Sequence, residues 1–369
     1  MMMAGTRRTM ANAFDGLTLD GVQLRSLQAY QHFSRLNGRR RKAETWKEEI
    51  HHLMMELVLL GGKSISASTS GTTGPPKSMR IPRNDLVNSA RLTAGAFNLQ
   101  EGDTALLCLP CAFIAGKMMV VRAMALGLDL HVIDPHGSVL QHLGPDSRYR
   151  FTAMVPLQLH RAIQEDRIRV ERQFHTILLG GGPVSEALEE DLQGLRTDMF
   201  QGYGSTETVS HVALRRLNGP HRQEHYTAIG RVSFSLDDRG CLVVHTPHLR
   251  TKQHVTNDIV DLCDDRRFLW HGRIDNVILS GGKKIFPEQL ETRTAGLIPW
   301  PHFFMPFPDA RLGEAVGLVL ETEEDAAQVI HELMPALSKV LDTHEMPRRV
   351  TALRHFVRTG SGKVVRRVV

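Results

Sequence analysis

Apolar side chains fall at helical spacing at Trp46, Ile50, Leu53, Met54 and Leu57, which predicts an amphipathic helix over residues 44–60. A short strand over 63–67 comes next, then a polar stretch, then an amphipathic run over 84–97. Beyond it the pattern alternates. Apolar runs at 106–109, 128–133, 151–155 and 176–179 have strand length, whereas 115–126 and 156–165 read as helices. Ser185 offers an N-cap to a helix reaching about residue 192. This order predicts an α/β domain with a largely parallel sheet, whose ligands sit beyond the carboxyl ends of the strands. From about residue 228 the texture changes to hairpin material, with strands at 232–236 and 241–246 around Asp237-Asp238-Arg239-Gly240. After Trp270 a smaller α+β unit is expected, with a hairpin around 308–313 and a helix over 324–341. The expected division is a large N-terminal α/β domain, 1–271, and a smaller C-terminal domain, 272–369.

Composition sharpens this picture only in places. A length of 369 residues suits two domains, and 41% apolar with 23% charged residues suits a globular chain with a sizeable core. A net charge of +5 and a pI of about 9.1 suit an anionic ligand such as a nucleotide and do not require nucleic acid. The basic run Arg39-Arg40-Arg41-Lys42 has no interleaved aromatics and reads as a solvated surface segment. The N-terminus lacks the apolar core of a signal peptide, and the most apolar stretch, 117–133, is broken by Arg122 and Asp129, so no membrane span is expected. Cys108 and Cys111 have C-x-x-C spacing, but nothing completes a zinc set, and they read as buried thiols at a strand end. The chain reads as cytoplasmic, and a homo-oligomer is compatible with it.

The densest candidate chemistry is Ser68-Thr69-Ser70-Gly71-Thr72-Thr73-Gly74-Pro75-Pro76-Lys77. Hydroxyls and backbone N–H groups donate to phosphate oxygens, glycine permits close approach, and lysine adds charge. It is not a Walker loop, because Pro76 stands where that motif needs its second glycine. Gly180-Gly181-Gly182 would let a flat adenine lie against backbone. In Gly202-Tyr203-Gly204-Ser205-Thr206-Glu207 a ring can meet a base, a hydroxyl a phosphate, and a carboxylate Mg²⁺. Asp258, in Thr256-Asn257-Asp258, precedes Arg273 and Asp275, and Thr359-Gly360-Ser361-Gly362-Lys363 could carry an ammonium into a site elsewhere. Singly, these are a tight turn, a lone carboxylate and a basic tail.

In this order the motifs resemble the ANL superfamily of adenylate-forming enzymes, over roughly residues 64–369. The first loop resembles that family's phosphate-binding signature, and Tyr203 to Glu207 its aromatic-Gly-x-Thr-Glu motif. Gly272-Arg273-Ile274-Asp275 through Gly281-Gly282-Lys283-Lys284 and on to Glu291 resembles its hinge and following loop. Lys363 stands where the family keeps its catalytic lysine. Within the superfamily the chain is most similar to short bacterial o-succinylbenzoate–CoA ligases of menaquinone biosynthesis, through Val155-Pro156-Leu157-Gln158-Leu159, the segment from Ile114 to Met119 and that from Glu207 to His211. Phe113 departs from many relatives, which have an acyl-pocket histidine there, and Val357 replaces a proline.

The resemblance implies ATP, Mg²⁺ and coenzyme A as cofactors and a small-molecule carboxylate as substrate. The loop from Ser68 to Gly74, with Lys77, would hold the outer phosphates; Thr206 would meet the α-phosphate, Glu207 the Mg²⁺, and Asp258 and Arg273 the ribose. Gly180, Gly181, Gly182, Tyr203 and Gly204 would frame the adenine. Lys363 would bridge carboxylate and nucleotide; after rotation about Asp275, Gly281 and Gly282 would line the thiol tunnel. For the second carboxylate of o-succinylbenzoate, Lys117 and His211 are the candidates, with Phe113 lining the pocket. A snorkelled surface lysine and a satisfied structural histidine are the plainer readings of the two. Two alternatives stay open: a ligase for another acid or for a carrier protein, and a nucleotide- or RNA-binding protein that keeps an inactive fold.

Overall fold

Successive side chains of the strand Thr104–Leu107 enter two different cores. Ala105 and Leu107 join one, while Leu106 and, one residue past the strand, Cys108 join the other. The first core is covered by the helices Arg83–Phe97 and Ile114–Leu126, the second by Pro156–Gln173 and Glu186–Leu192. A sheet buried on both faces between helices is the result. The computed structural model describes residues 9–10, 12–38, 45–59, 63–68, 77–359 and 364–366, without the side chains of 35–38 and 327.

Among the described residues, thirteen strands form this sheet. Its parallel part runs Asp129–Val132, Thr104–Leu107, Tyr149–Met154, Phe174–Leu179, Asp198–Gly204. Beyond Asp198–Gly204 the pairing is antiparallel, through His211–Arg216, Tyr226–Ala228, Arg267–Arg273, Gln253–Leu262, Cys241–His245 and Ser233–Leu236. At the other edge the hairpin Gly16–Leu19/Val22–Arg25 joins in parallel beside Asp129–Val132. Ser185 does cap its helix, its hydroxyl accepting from the Leu188 N–H at 3.2 Å. No helix among the described residues is long and apolar enough to cross a membrane.

Several boundaries moved, each for a local reason. The helix expected over 44–60 is α-helical from Thr45–Met54 and continues as a π-turn, Met55–Leu59. The helix expected to end near 165 runs to Gln173 across a break at Asp166, whose φ of −160° is extended. The strand expected at 106–109 ends at Leu107. Cys108 and Cys111 are buried free thiols; burial pushes the Cys108 thiol up to about 12 and raises Cys111 as well. Redox or metal chemistry needs a thiolate that these sites disfavour.

The large sheet's strand Arg267–Arg273 leads into a single 3₁₀ turn, Ile274–Asn276. A second sheet then begins with Ile278–Ser280 and Lys283–Ile285, followed by His302–Asp309, Gly313–Glu321 and Arg349–Leu353. Ile278, Leu290, Phe304, Leu318, Val329 and Leu337 give it a core of its own. The hairpin expected around 308–313 turns between Asp309 and Gly313, and the helix expected over 324–341 is Ala326–Leu337.

The helix Ile114–Leu126 is buried nearly all round, and its first turn lies against the backbone of Leu109 and Pro110. A Cβ on Gly116 would collide with the Pro110 carbonyl and lie 2.9 Å from the Leu109 oxygen. Backbone cannot swing aside as a side chain can. We expect Gly116→Ala to destabilise the protein by about 1–3 kcal/mol, read as a lower denaturant midpoint with unchanged slope.

Candidate active site

Parallel neighbours bring two glycine-rich turns together. Leu179 pairs with Gln201, so Gly180-Gly181-Gly182 leaves its strand beside the strand that ends in Gly202-Tyr203-Gly204. The turn that follows is closed tightly. Thr208 Oγ1 accepts from the Ser205 N–H at 2.8 Å, and the Val209 N–H donates to Thr206 O at 3.0 Å. Two backbone facts show how hard this turn is held. Gly204 must lack a side chain, because a Cβ there would strike Ser210 O and sit 2.7 Å from the His211 Cα. Val209 adopts φ 68°, a strained conformation for a β-branched residue. Thr206 is buried at the base of the turn and Glu207 is exposed on it.

Tyr203 and Asp258, 55 positions apart, meet through a 2.6 Å hydrogen bond from the phenol to Oδ2. The Tyr203 ring packs edge-on against Phe268 and Tyr226, and burial followed by the Asp258 charge raises its phenol well above the usual range. Asp258 Oδ1 accepts from Trp270 Nε1 at 3.2 Å. The antiparallel register pairs Asp258 directly with Arg273, whose Nη1 stands 3.9 Å from Oδ1. Arg273 Nη2 donates to Asp275 at 2.7 Å, while Arg273 Nε is buried without a partner. An orphaned donor beside a carboxylate suits a polyhydroxyl ligand, which both donates and accepts.

Ser68 ends one strand of the hairpin Ser64–Ser68/Ser78–Pro82, with Lys77 exposed at the foot of the other. Thr69, Ser70, Gly71, Thr72, Thr73 and Gly74 lie outside the described residues, as does Lys363. What holds their stems is visible. Glu56, on the π-turn, accepts from the Ser66 N–H, the Ser66 hydroxyl at 2.6 Å and Arg80 at 2.9 Å. On the C-terminal side Arg358 grips Glu321 through both nitrogens, an ion pair that holds the Glu321 carboxyl down at about 2. Arg366 grips Glu291 in the same way, at 2.6 and 2.5 Å. Gly281 and Gly282, with φ of 57° and 82°, form the two-residue turn between Ile278–Ser280 and Lys283–Ile285.

The substrate candidates separate. Lys117 donates to Ser66 O at 2.7 Å; burial lowers its pKa, Glu56 opposing. Its ammonium thus braces the hairpin. Phe113 is half-buried at the start of Ile114–Leu126. His211 is buried, with Nδ1 3.2 Å from the Ser210 hydroxyl and Nε2 buried without a partner. Beside it lies a residue that sequence reasoning noted only as an interruption. Arg122, 1% exposed, donates to Thr93 at 3.2 Å, to Ser210 at 2.7 Å and to the Met119 sulfur. No carboxylate among the described residues pairs with it, and burial alone lowers its pKa to about 9. The signal was an arginine inside an otherwise apolar helix.

A nucleotide-bound Mg²⁺ needs only one or two protein carboxylates, and the exposed Glu207, set on a rigid turn at the strand ends, fits that requirement. The other group with ligand spacing among the described residues, Asp342, His344 and Glu345, belongs to the C-terminal unit.

Residues 68–243 match the AMP-binding enzyme family. An acyl-CoA synthetase (AMP-forming)/AMP-acid ligase II-like protein from Dyadobacter fermentans, of known structure, is 35% identical, with a TM-score of 0.57 over 89% of this chain and 95% of that one. The 2-succinylbenzoate–CoA ligase of Listeria monocytogenes is 23% identical over 329 residues, 81% of this chain and 68% of that protein. That of Bacillus subtilis is 27% identical over 280 residues, 68% of this chain and 57% of that protein. The B. subtilis o-succinylbenzoate coenzyme A synthetase, solved with ATP and magnesium, shares the fold at 21% identity and a TM-score of 0.68, over 82% of this chain and 68% of that one.

Burial, and then the Arg122 charge, hold the His211 imidazole well below its usual 6.5. The ring should therefore be neutral at neutral pH. Its NMR titration midpoint is expected to lie below that of an exposed histidine. In Arg122→Met the positive neighbour is gone and the pKa should rise, burial still keeping it under 6.5.

Proposed function

The chain belongs to the AMP-binding, adenylate-forming enzymes of the ANL superfamily, and from that membership we propose that it activates o-succinylbenzoate as its acyl-adenylate and transfers the acyl group to coenzyme A, for menaquinone synthesis. As an acyl-adenylate-forming ligase it uses ATP to make a poor electrophile reactive. A substrate carboxylate oxygen attacks the α-phosphorus, and pyrophosphate leaves. The protein's contribution is placement and charge. Ser68 to Gly74 and Lys77 hold the outer phosphates, Thr206 the α-phosphate, and Glu207 the Mg²⁺, which supplies counter-charge to the phosphates. Gly180 to Gly182, Tyr203 and Gly204 frame the adenine, Asp258 and Arg273 hold the ribose, and Lys363 bridges acid and nucleotide. In the second half-reaction residues 272–369 turn about Asp275, Lys363 withdraws, and Gly281 and Gly282 border the path of the thiol, whose sulfur attacks the acyl carbon and displaces AMP.

The observation that carries the choice of acid is Arg122. A fully buried guanidinium without a carboxylate is costly, and a ligand that brings a second carboxylate relieves that cost. Arg122 meets Ser210, next to His211, whose unpartnered Nε2 is a second unmet polar group within reach of the Arg122 charge. Lys117, spent on Ser66, yields the role of distal cation to Arg122.

ATP–pyrophosphate exchange with o-succinylbenzoate, followed by mass spectrometry of the coenzyme A product, tests the proposal. Exchange with an aryl monoacid but not with the diacid would overturn it. Arg122→Met should raise KM for the diacid roughly 10- to 100-fold, the weight of a lost charge-assisted hydrogen bond, and leave a monoacid's KM nearly unchanged. Asp275→Pro should spare adenylate formation and cripple thioester formation; equal loss of both would remove Asp275 from the hinge.

A further inference from the structure

Asp275 is held from two sides, and only one side belongs to the nucleotide site. Arg273 Nη2 donates to Asp275 Oδ2 at 2.7 Å. From the strand alongside, Asn257 Nδ2 lies 3.1 Å from both carboxylate oxygens of Asp275. Asn257 is itself oriented. Arg239 Nη1 donates to its Oδ1 at 3.1 Å, which leaves the amide nitrogen facing Asp275. Arg239 is fixed by Nη2 to Thr256 O at 2.9 Å and by Nε to Asp237 Oδ2 at 2.9 Å. A continuous polar chain therefore runs Asp237, Arg239, Asn257, Asp275, Arg273, Asp258.

We propose that Asn257, oriented by Arg239, is a positioning residue that latches Asp275 and so sets the balance between the two domain orientations, an inference that rests on the adenylation-and-transfer reading above. Asp275 sits in the middle of the 3₁₀ turn Ile274–Asn276, the link between the two sheets. Turning its backbone carries the carboxylate away from Asn257, whose position is fixed on a ten-residue strand of the large sheet. Arg273 divides its guanidinium between Asp275 and Asp258, so a ribose that engages Asp258 and Arg273 competes with the latch. Rotation and nucleotide occupancy thereby share one group. The side-chain hydrogen bonds of Asn257 run to Asp275 and Arg239, whereas Arg273 also approaches Asp258, which distinguishes the two roles.

The test compares the full-length protein with Asn257→Ala, Asn257→Asp and Arg239→Met in both half-reactions: pyrophosphate exchange, and transfer to coenzyme A from supplied acyl-adenylate. The ratio of the two rates should shift about two- to fivefold in Asn257→Ala, the weight of a half-exposed polar clamp. Asn257→Asp sets a like charge against Asp275 and should shift it further with the same sign, and Arg239→Met less. Amide hydrogen exchange over 274–282 should quicken in the same order. An unchanged ratio, or an exchange rate that does not respond, overturns the latch. A wild-type protein without pyrophosphate exchange overturns the functional reading instead, and hydrogen exchange alone then decides whether the latch exists.

Discussion

The Asp258 carboxylate is the joint on which the arrangement depends. Tyr203 reaches it from the last parallel strand, Trp270 and Arg273 from the strand alongside, and the Arg273 guanidinium extends the connection to Asp275. Register makes this unavoidable. With Asp258 paired to Arg273, the residues after Arg273 must emerge beside Asn257. A slip of one residue would turn one of the two side chains to the other face and separate them. The bulge between Ile259 and Val260 marks where the pairing changes phase to reach Trp270 opposite Val260. The same carboxylate thus joins the last parallel strand to the strand that leads into the second unit.

Charge is used in two ways. In the C-terminal unit arginines are matched: Arg358 with Glu321 and Arg366 with Glu291, each by two nitrogens, which adds geometric definition that a single-point contact lacks. These grips flank residues 360–363, so the ends of the segment that carries Lys363 are specified by strong local pairs. In the large domain the notable cation, Arg122, is unmatched by any described carboxylate. A matched pair defines structure, whereas an unmatched buried charge carries an uncompensated desolvation cost.

Much of this was legible in the sequence where burial is two-sided. Apolar runs such as 176–179 announce strands because both faces are covered, and the Ser185 cap and the alternation toward an α/β sheet followed directly. What stayed hidden has a common cause. The strand Gln253–Leu262 has a single buried residue, Val260, and is otherwise half-exposed or exposed, so it shows no apolar run although it carries Asn257 and Asp258. The N-terminal hairpin Gly16–Leu19/Val22–Arg25 is an edge element with too few buried positions to signal itself. Arg122 was visible only as a break in hydropathy; its meaning depends on the absence of an acid nearby, which is a fact of three dimensions. Lys117 illustrates the opposite case, a lysine that looked available and is committed to a backbone carbonyl.

Rigidity and freedom are distributed along the chain in a way that suits two successive half-reactions. The turn from Ser205 to Ser210 is over-determined: Thr208 is bonded on several sides, Gly204 has no room for a Cβ, and Val209 is kept in a left-handed conformation that its side chain opposes. Strain of that kind, on the order of 1–3 kcal/mol, persists only where the surroundings enforce it. The link at Ile274–Asn276 is the reverse, a single 3₁₀ turn with no buried side chain of its own, restrained by polar contacts that water can replace. The link thus depends on side-chain hydrogen bonds, whereas the turn from Ser205 to Ser210 is held through backbone groups and the buried Thr208.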